Sequence, residues 1–237
     1  MNYPEPIVKR KLSDEVFARL QRLITSGELR PGNEMPSERE LMERFGVGRP
    51  AIREAMQALA GMGLVAISHG ERAKVLQLTA ESIMKQVDGT AKIMLSSSRD
   101  SLEHLKSARI FFERGMVREA AQKATQADIA ALGSTVERQR SLLGNAEAFI
   151  NADMEFHTQI AGISGNPIYA AVSAAMLGWL KEYHTEMLIW TGKETYTLAE
   201  HEHIIERIAG HDVAGADSAM TRHLERSRAL YVNAAQP

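Results

Sequence analysis

The sequence predicts a mainly α-helical chain in two parts: three short helices closed by a β-hairpin, then an all-helical antiparallel bundle. Three observations predict it. Residues 1–76 alternate short apolar-striped segments with helix start and stop signals. Residues 77–237 are rich in Ala, Leu, Met, Glu, Lys and Arg, with few strand-type alternations. The charge also divides: residues 1–76 carry 12 Lys/Arg against 10 Asp/Glu, while the remainder carries 16 against 20 and seven of the eight histidines. Two parts so different in charge and histidine content are expected to have different tasks.

The elements of the first part follow in order. Ser13 stands as an N-cap before Val16, Leu20, Leu23 and Ile24, which share one helical face. Gly27 ends that helix and Pro31-Gly32 turns the chain. Ser37 and Glu40 have capping-box spacing, so a second helix starts at Ser37 and runs to about Phe45. Gly46-Val47-Gly48 leaves room only for a tight turn. A third helix follows from Arg49, with Pro50 tolerated in its first turn, until Gly61 and Gly63 stop it. Leu64–Ile67 and Ala73–Leu76 flank a polar tip and read as a hairpin.

Helix, helix, tight turn, helix, hairpin is the order of a winged helix-turn-helix. On the third helix Ile52, Met56 and Leu59 face inward, while Arg49, Arg53 and Gln57 repeat at i, i+4, i+8 on the outside. Arginine and amide side chains there can read base edges and clamp phosphates. A solvated charged face is the bland alternative; the tight turn and the basic-tipped hairpin favour double-stranded DNA as partner.

In the second part helices are expected near 80–96, 100–124, 126–144, 146–163, 167–190, 195–210 and 213–232, starting after Thr79 as a possible N-cap. Short breaks between them imply antiparallel neighbours. Asp153 and His157 lie at i, i+4 on the face of Ile150, Ile160 and Ala161. His201 shares a face with Leu198, Ile205 and Ile208, and His223 with Ala219, Met220, Ser227 and Leu230. Three helices thus turn a histidine inward, and one adds a carboxylate. A single buried imidazole is ordinarily a hydrogen-bonded core residue. Three beside a carboxylate suit a divalent cation: zinc first, with nickel, manganese or iron as alternatives.

Cysteine is absent, which excludes disulfides, cysteine nucleophiles, iron–sulfur ligation and cysteine-based zinc fingers, and fits a reducing cytoplasm. Met1 to Lys11 has no apolar core of a signal peptide. The longest uncharged run, Thr158 to Leu180, is broken by Gly162, Ser164, Gly165, Asn166 and Pro167, so no membrane span is expected.

Two stretches carry a resemblance. Pro36-Ser37-Glu38-Arg39-Glu40-Leu41, Phe45 to Ala55 and Leu59 to Val65 resemble the DNA-binding domain of the GntR family of bacterial transcription regulators. That implies DNA contacts by Arg39, Arg49 and Arg53, with the wing tip His69-Gly70 entering the minor groove. Many members carry glycine where Glu71 and Arg72 stand here.

Asp153 to His157, Gly165-Asn166-Pro167, His201 to Ile208 and Met220 to Leu224 resemble the FCD ligand-binding domain of the FadR-type branch. This implies a metal held by Asp153, His157, His201 and His223, an adjoining cavity for a small carboxylate effector, and Arg109 pointing into it. Within the branch, residues 69–75 and 109–113 are most similar to sialic-acid-responsive repressors. Other members answer to sugar, hydroxy, amino or aromatic acids.

The expectation is therefore a homodimeric, ligand-responsive repressor of a catabolic operon, cytoplasmic and not an enzyme. Residues 1–76 would form its DNA-binding domain and 77–237 its effector and dimerisation domain. Two alternatives stand beside it. One is a DNA-binding regulator with a purely structural metal. The other is a metal-dependent hydrolase, which lacks a further inward general base and leaves the first 76 residues unexplained.

Overall fold

A computed structural model describes residues 11–184 and 194–233. It divides into two compact units, Met1–Gln86 and Val87–Pro237, so the division falls within a helix that begins beyond the expected junction at 76/77.

The first unit holds α1 (Leu12–Thr25), α2 (Glu38–Phe45), α3 (Arg49–Gly61), β1 (Val65–Ala66) and β2 (Lys74–Val75). The strands pair antiparallel, Val65 opposite Val75 and Ala66 opposite Lys74. This is the expected winged helix-turn-helix. Ser37 caps α2 in a reciprocal capping box with Glu40. Gly46 closes α2 at φ 66°, the left-handed conformation that costs glycine little, and this frees the chain to reverse into α3. Ser13 does not cap. The N-cap of α1 is Lys11, without a side-chain bond, and Ser13 lies buried inside the helix. With its hydroxyl turned into the core, it cannot reach the exposed amides of the first turn. Val16 and Leu20 of α1, Leu41 of α2, Ile52 and Leu59 of α3, and Val65 and Val75 of the strands close one core. Each contributes about 1.5–3 kcal/mol by burial.

The second bundle runs through α4 (Ala80–Ser96), α5 (Arg99–Lys123), α6 (Gln126–Ser141), α7 (Ala146–Ile163), α8 (Pro167–His184), α9 (Glu194–Ala209) and α10 (Val213–Asn233). Thr79 starts α4, its hydroxyl accepting from the Ser82 amide at 3.1 Å. Thr125 starts α6 in a second capping box with Asp128. The expected continuation of α8 to 190 and the break at Thr191-Gly192 lie outside the described residues, as do the side chains of Ser227 and Leu230. Helix α5 packs on α10 and α7, α6 on α7 and α9, and α9 on α10. Val117, Leu132, Val136, Phe156, Ile160, Leu198, Ile208 and Met220 fill the space between them. Among the described residues no helix is long and apolar enough to cross a membrane.

Candidate DNA face and candidate metal centre

On α3, Ile52, Met56 and Leu59 are buried, while Arg49, Arg53 and Gln57 are exposed. The sequence wheel is thus realised. The structure adds Glu38, at the start of α2. Its carboxylate accepts from Arg53 Nε at 2.8 Å and pairs with Arg49 Nε at 3.5 Å. Arg39 is exposed and pairs with Glu43 one turn along. One carboxylate holding two arginines orders them on one side of the helix, but exposed pairs of this kind are weak and screened by salt. A phosphate or a guanine edge can therefore displace it. At the hairpin tip His69 is exposed and Gly70 takes φ 78°.

In the bundle, Asp153 and His157 from α7, His201 from α9 and His223 from α10 converge. One ligand atom from each lies within 4.8 Å of the other three. The three histidines are buried and Asp153 is half-buried. His157 Nε2 is 3.2 Å from His223 Nε2 and 3.8 Å from Asp153 Oδ2; His201 Nε2 is 3.4 Å from Asp153 Oδ1.

The outer ring nitrogens decide what the inner ones can do. His157 Nδ1 lies against Glu113 Oε2 of α5, His201 Nδ1 is 3.0 Å from Gln139 Oε1 of α6, and His223 Nδ1 is 2.8 Å from Glu200 Oε2 of α9. Each of these partners is an acceptor. Gln139 has its amide orientation set by donating Nε2–H to Asp153 Oδ1 at 3.3 Å. All three histidines therefore carry their proton on Nδ1 and turn an Nε2 lone pair inward.

Burial holds His201 well below the usual imidazole range, aided by the neighbouring His223 and His157. Burial also lowers His223, against the opposing pull of Glu200. Burial alone would raise Glu113; Arg109 and His157 override it and hold the carboxylate at about 2. Glu200 is likewise held at about 2, with His223 and Arg226 outweighing its burial.

Lone pairs of neutral imidazoles 3.2 Å apart repel unless something positive lies between them. His201 Nε2 is buried with no hydrogen-bond partner. Donors sharing one cation at roughly 2 Å stand roughly 3–4 Å from each other, and the spacings here fall in that range. Three imidazoles and a carboxylate, each ring backed by an acceptor, could hold zinc or a related divalent ion. His203, on the other face of α9, is partly exposed and pairs with Glu206.

Arg109 is buried on α5 and donates from Nε to Glu113 Oε1 at 2.5 Å. Arg109, Glu113 and His157 thus form one chain of contacts. Sequence reasoning missed Glu113, Gln139, Glu200 and Glu38. Only Glu113 left a trace, its i, i+4 spacing from Arg109; the others act on partners that only folding brings near.

Known proteins show the same layout. Residues 12–75 match the family model for bacterial regulatory proteins, gntR family, and residues 104–226 match the FCD domain. The HTH-type transcriptional repressor NanR of Edwardsiella tarda (strain FL6-60) is 39% identical over 222 residues, spanning 92% of this chain and 85% of that protein. NanR of Escherichia coli (strain K12) is 38% identical over 228 residues, spanning 95% and 86%. Among solved structures, Streptococcus agalactiae GntR superimposes with a TM-score of 0.66 at 22% identity over 91% of this chain and 98% of that one. E. coli McbR/YncC gives 0.52 at 19% identity over 95% and 99%. These last two speak for the fold alone. With a GntR-type winged helix, an FCD bundle and relatives this similar over most of its length, the chain belongs to the gntR family of bacterial regulatory proteins, in the branch that carries an FCD domain.

Proposed function

We propose that this chain is a homodimeric, DNA-binding repressor of a catabolic operon whose FCD unit senses a small carboxylate, sialic acid first among the candidates. Asp153, His157, His201 and His223 would hold a divalent cation, zinc by preference, nickel or manganese otherwise. The observation that carries the sensor is the inward convergence of three imidazole lone pairs on one carboxylate, each imposed by its own outer acceptor. Such a cation supplies a Lewis-acidic position for an anionic ligand.

Arg109 supplies a guanidinium for the effector carboxylate, and Glu113 fixes where that guanidinium sits. A ligand drawn to Arg109 acts on Glu113, and through it on His157 and α7. If one packing of the bundle binds the effector better, the effector shifts the population toward it. A tenfold loss of operator affinity needs only about 1.4 kcal/mol of such coupling. At the other end Arg39, Arg49, Arg53 and the His69-Gly70 tip would meet DNA. Two copies would address successive turns of a pseudo-palindromic operator. The relatives named transcriptional repressors, and the winged helix itself, place this reading ahead of a hydrolase.

The test is metal content and melting temperature of purified chain, with N-acetylneuraminate and other acidic sugars, followed by operator titration. The wild type should retain about one metal per chain, and His201→Ala should lose it while His203→Ala does not. The effector should raise the melting temperature only of the metal-loaded form and weaken operator binding at least tenfold. Equal metal loss from both variants would refute the ligand assignment. If no acid shifts the melting and chelation only unfolds the protein, the metal is structural and the sensor reading fails.

A further inference from the structure

The bundle presents an outward face that nothing in the chain covers. His104, Ala108, Phe111, Gly115, Arg118 and Gln122 follow one another on α5 at alternating intervals of four and three. That is the spacing of a heptad seam between two helices. Phe111 is 76% exposed, more than any other large apolar side chain described, and Phe112 is 42% exposed. Their rings meet edge to face at 5.6 Å. Together with Tyr169 and Arg114 they line a groove of about 700 Å³.

Gly115 is the second observation. It lies mid-helix and exposed, and a Cβ added there would meet nothing within 4 Å. Glycine inside an exposed helix destabilises it relative to alanine. The fold of one chain offers no return for that cost; close approach of another surface does.

We infer that this face of α5 is the seam on which two copies of the chain pair antiparallel, Phe111 of each seated over Gly115 of the partner subunit. The register is self-complementary. With the two-fold axis beside Glu113, Phe111 faces Gly115, Phe112 faces Arg114, Ala108 faces Arg118 and His104 faces Gln122. Large side chains meet small ones, and a guanidinium meets an aromatic ring. Parallel pairing would set Phe111 on Phe111 and Arg118 on Arg118, stacking bulk on bulk and like charge on like.

The inner face of the same helix carries Arg109 and Glu113, which reach His157. Seam and candidate cation site therefore share the turns around Glu113, and a change at one is felt by the other through a single rigid element. This inference rests on the homodimer reading above and gives it a place.

Sedimentation of the full chain tests it, with melting temperature and metal content measured alongside. Phe111→Asp should raise the dimer dissociation constant at least tenfold. Gly115→Ala should also weaken the dimer while the melting temperature of the isolated protomer rises, because alanine favours the helix. Metal content should match wild type in both. If Phe111→Asp fails to fold, Gly115→Ala decides. A dimeric wild type whose association neither variant changes overturns the seam but keeps the homodimer. A monomeric wild type overturns both. Variants that stay dimeric but lose the effector-induced melting shift would make the groove a ligand site and overturn the seam.

Discussion

Each of the three inward histidines is oriented by a different kind of neighbour. Glu113 and Glu200 are carboxylates, and Gln139 is a neutral amide bound on its other side to Asp153. Losing such an outer partner typically costs 10–100-fold in metal affinity. Gln139 is fully buried, so Gln139→Leu keeps the packing while removing both hydrogen bonds. It should weaken metal binding by about that factor, with the bundle still folded; competition against a chelator of known affinity measures it, and unchanged affinity would show that Gln139 only packs. The four inner residues were legible in the sequence because helical periodicity alone places Asp153, His157, His201 and His223 on buried faces. The outer three were not. Gln139 meets His201 across 62 positions and Glu113 meets His157 across two packed helices, and no local spacing encodes such pairings.

At the scale of elements, most of the chain could be read from its punctuation. Ser37 and Glu40, the turn at Gly46 and the break at Thr125 all did what their chemistry requires. Ser13 failed as a cap because burial of its side chain outweighed the local preference. The recognition helix shows what periodicity leaves out. It told that Arg49 and Arg53 face outward, but not that Glu38 gathers both. Arg53→Ala should weaken operator binding by about 1–3 kcal/mol if the guanidinium reads a guanine, and lower the salt slope by about one if it meets a phosphate. The melting temperature should stay within a degree or two, since the pair it breaks is exposed. Titration at two salt concentrations separates the outcomes; unchanged affinity and slope would remove Arg53 from the interface.

Across the whole molecule, the charge division seen in the sequence maps onto the two units. A basic excess of two in residues 1–76 is too small for DNA affinity to rest on bulk charge, so placed arginines and dimerisation must supply it. Acid should unfold the metal-stripped protein in two stages. His201 and His223 titrate below their ordinary value of 6.5 when folded. The unfolded chain therefore binds protons first, and stability falls as pH drops through and below 6.5. Glu113 and Glu200 sit at about 2 against an unfolded 4.5. Their contribution persists above 4.5 and is lost as pH falls from there toward 2. Thermal melts of chelated protein from pH 8 to 3 should show both declines, and a flat profile between pH 7 and 5 would mean the histidines are not held neutral.

The ring of groups around the histidines also has an electrical consequence. Asp153, Glu113 and Glu200 contribute three negative charges, and Arg109 and Arg226 two positive ones, so this set of side chains is negative by one unit. A divalent ion among the imidazoles would turn the same set positive by one. The sign of the cavity would then be decided by its occupant: repelling a carboxylate when stripped, attracting it when loaded. A sensor wired this way answers to its acid only while metal is in supply, and so reports two conditions of the cell through a single change in DNA affinity.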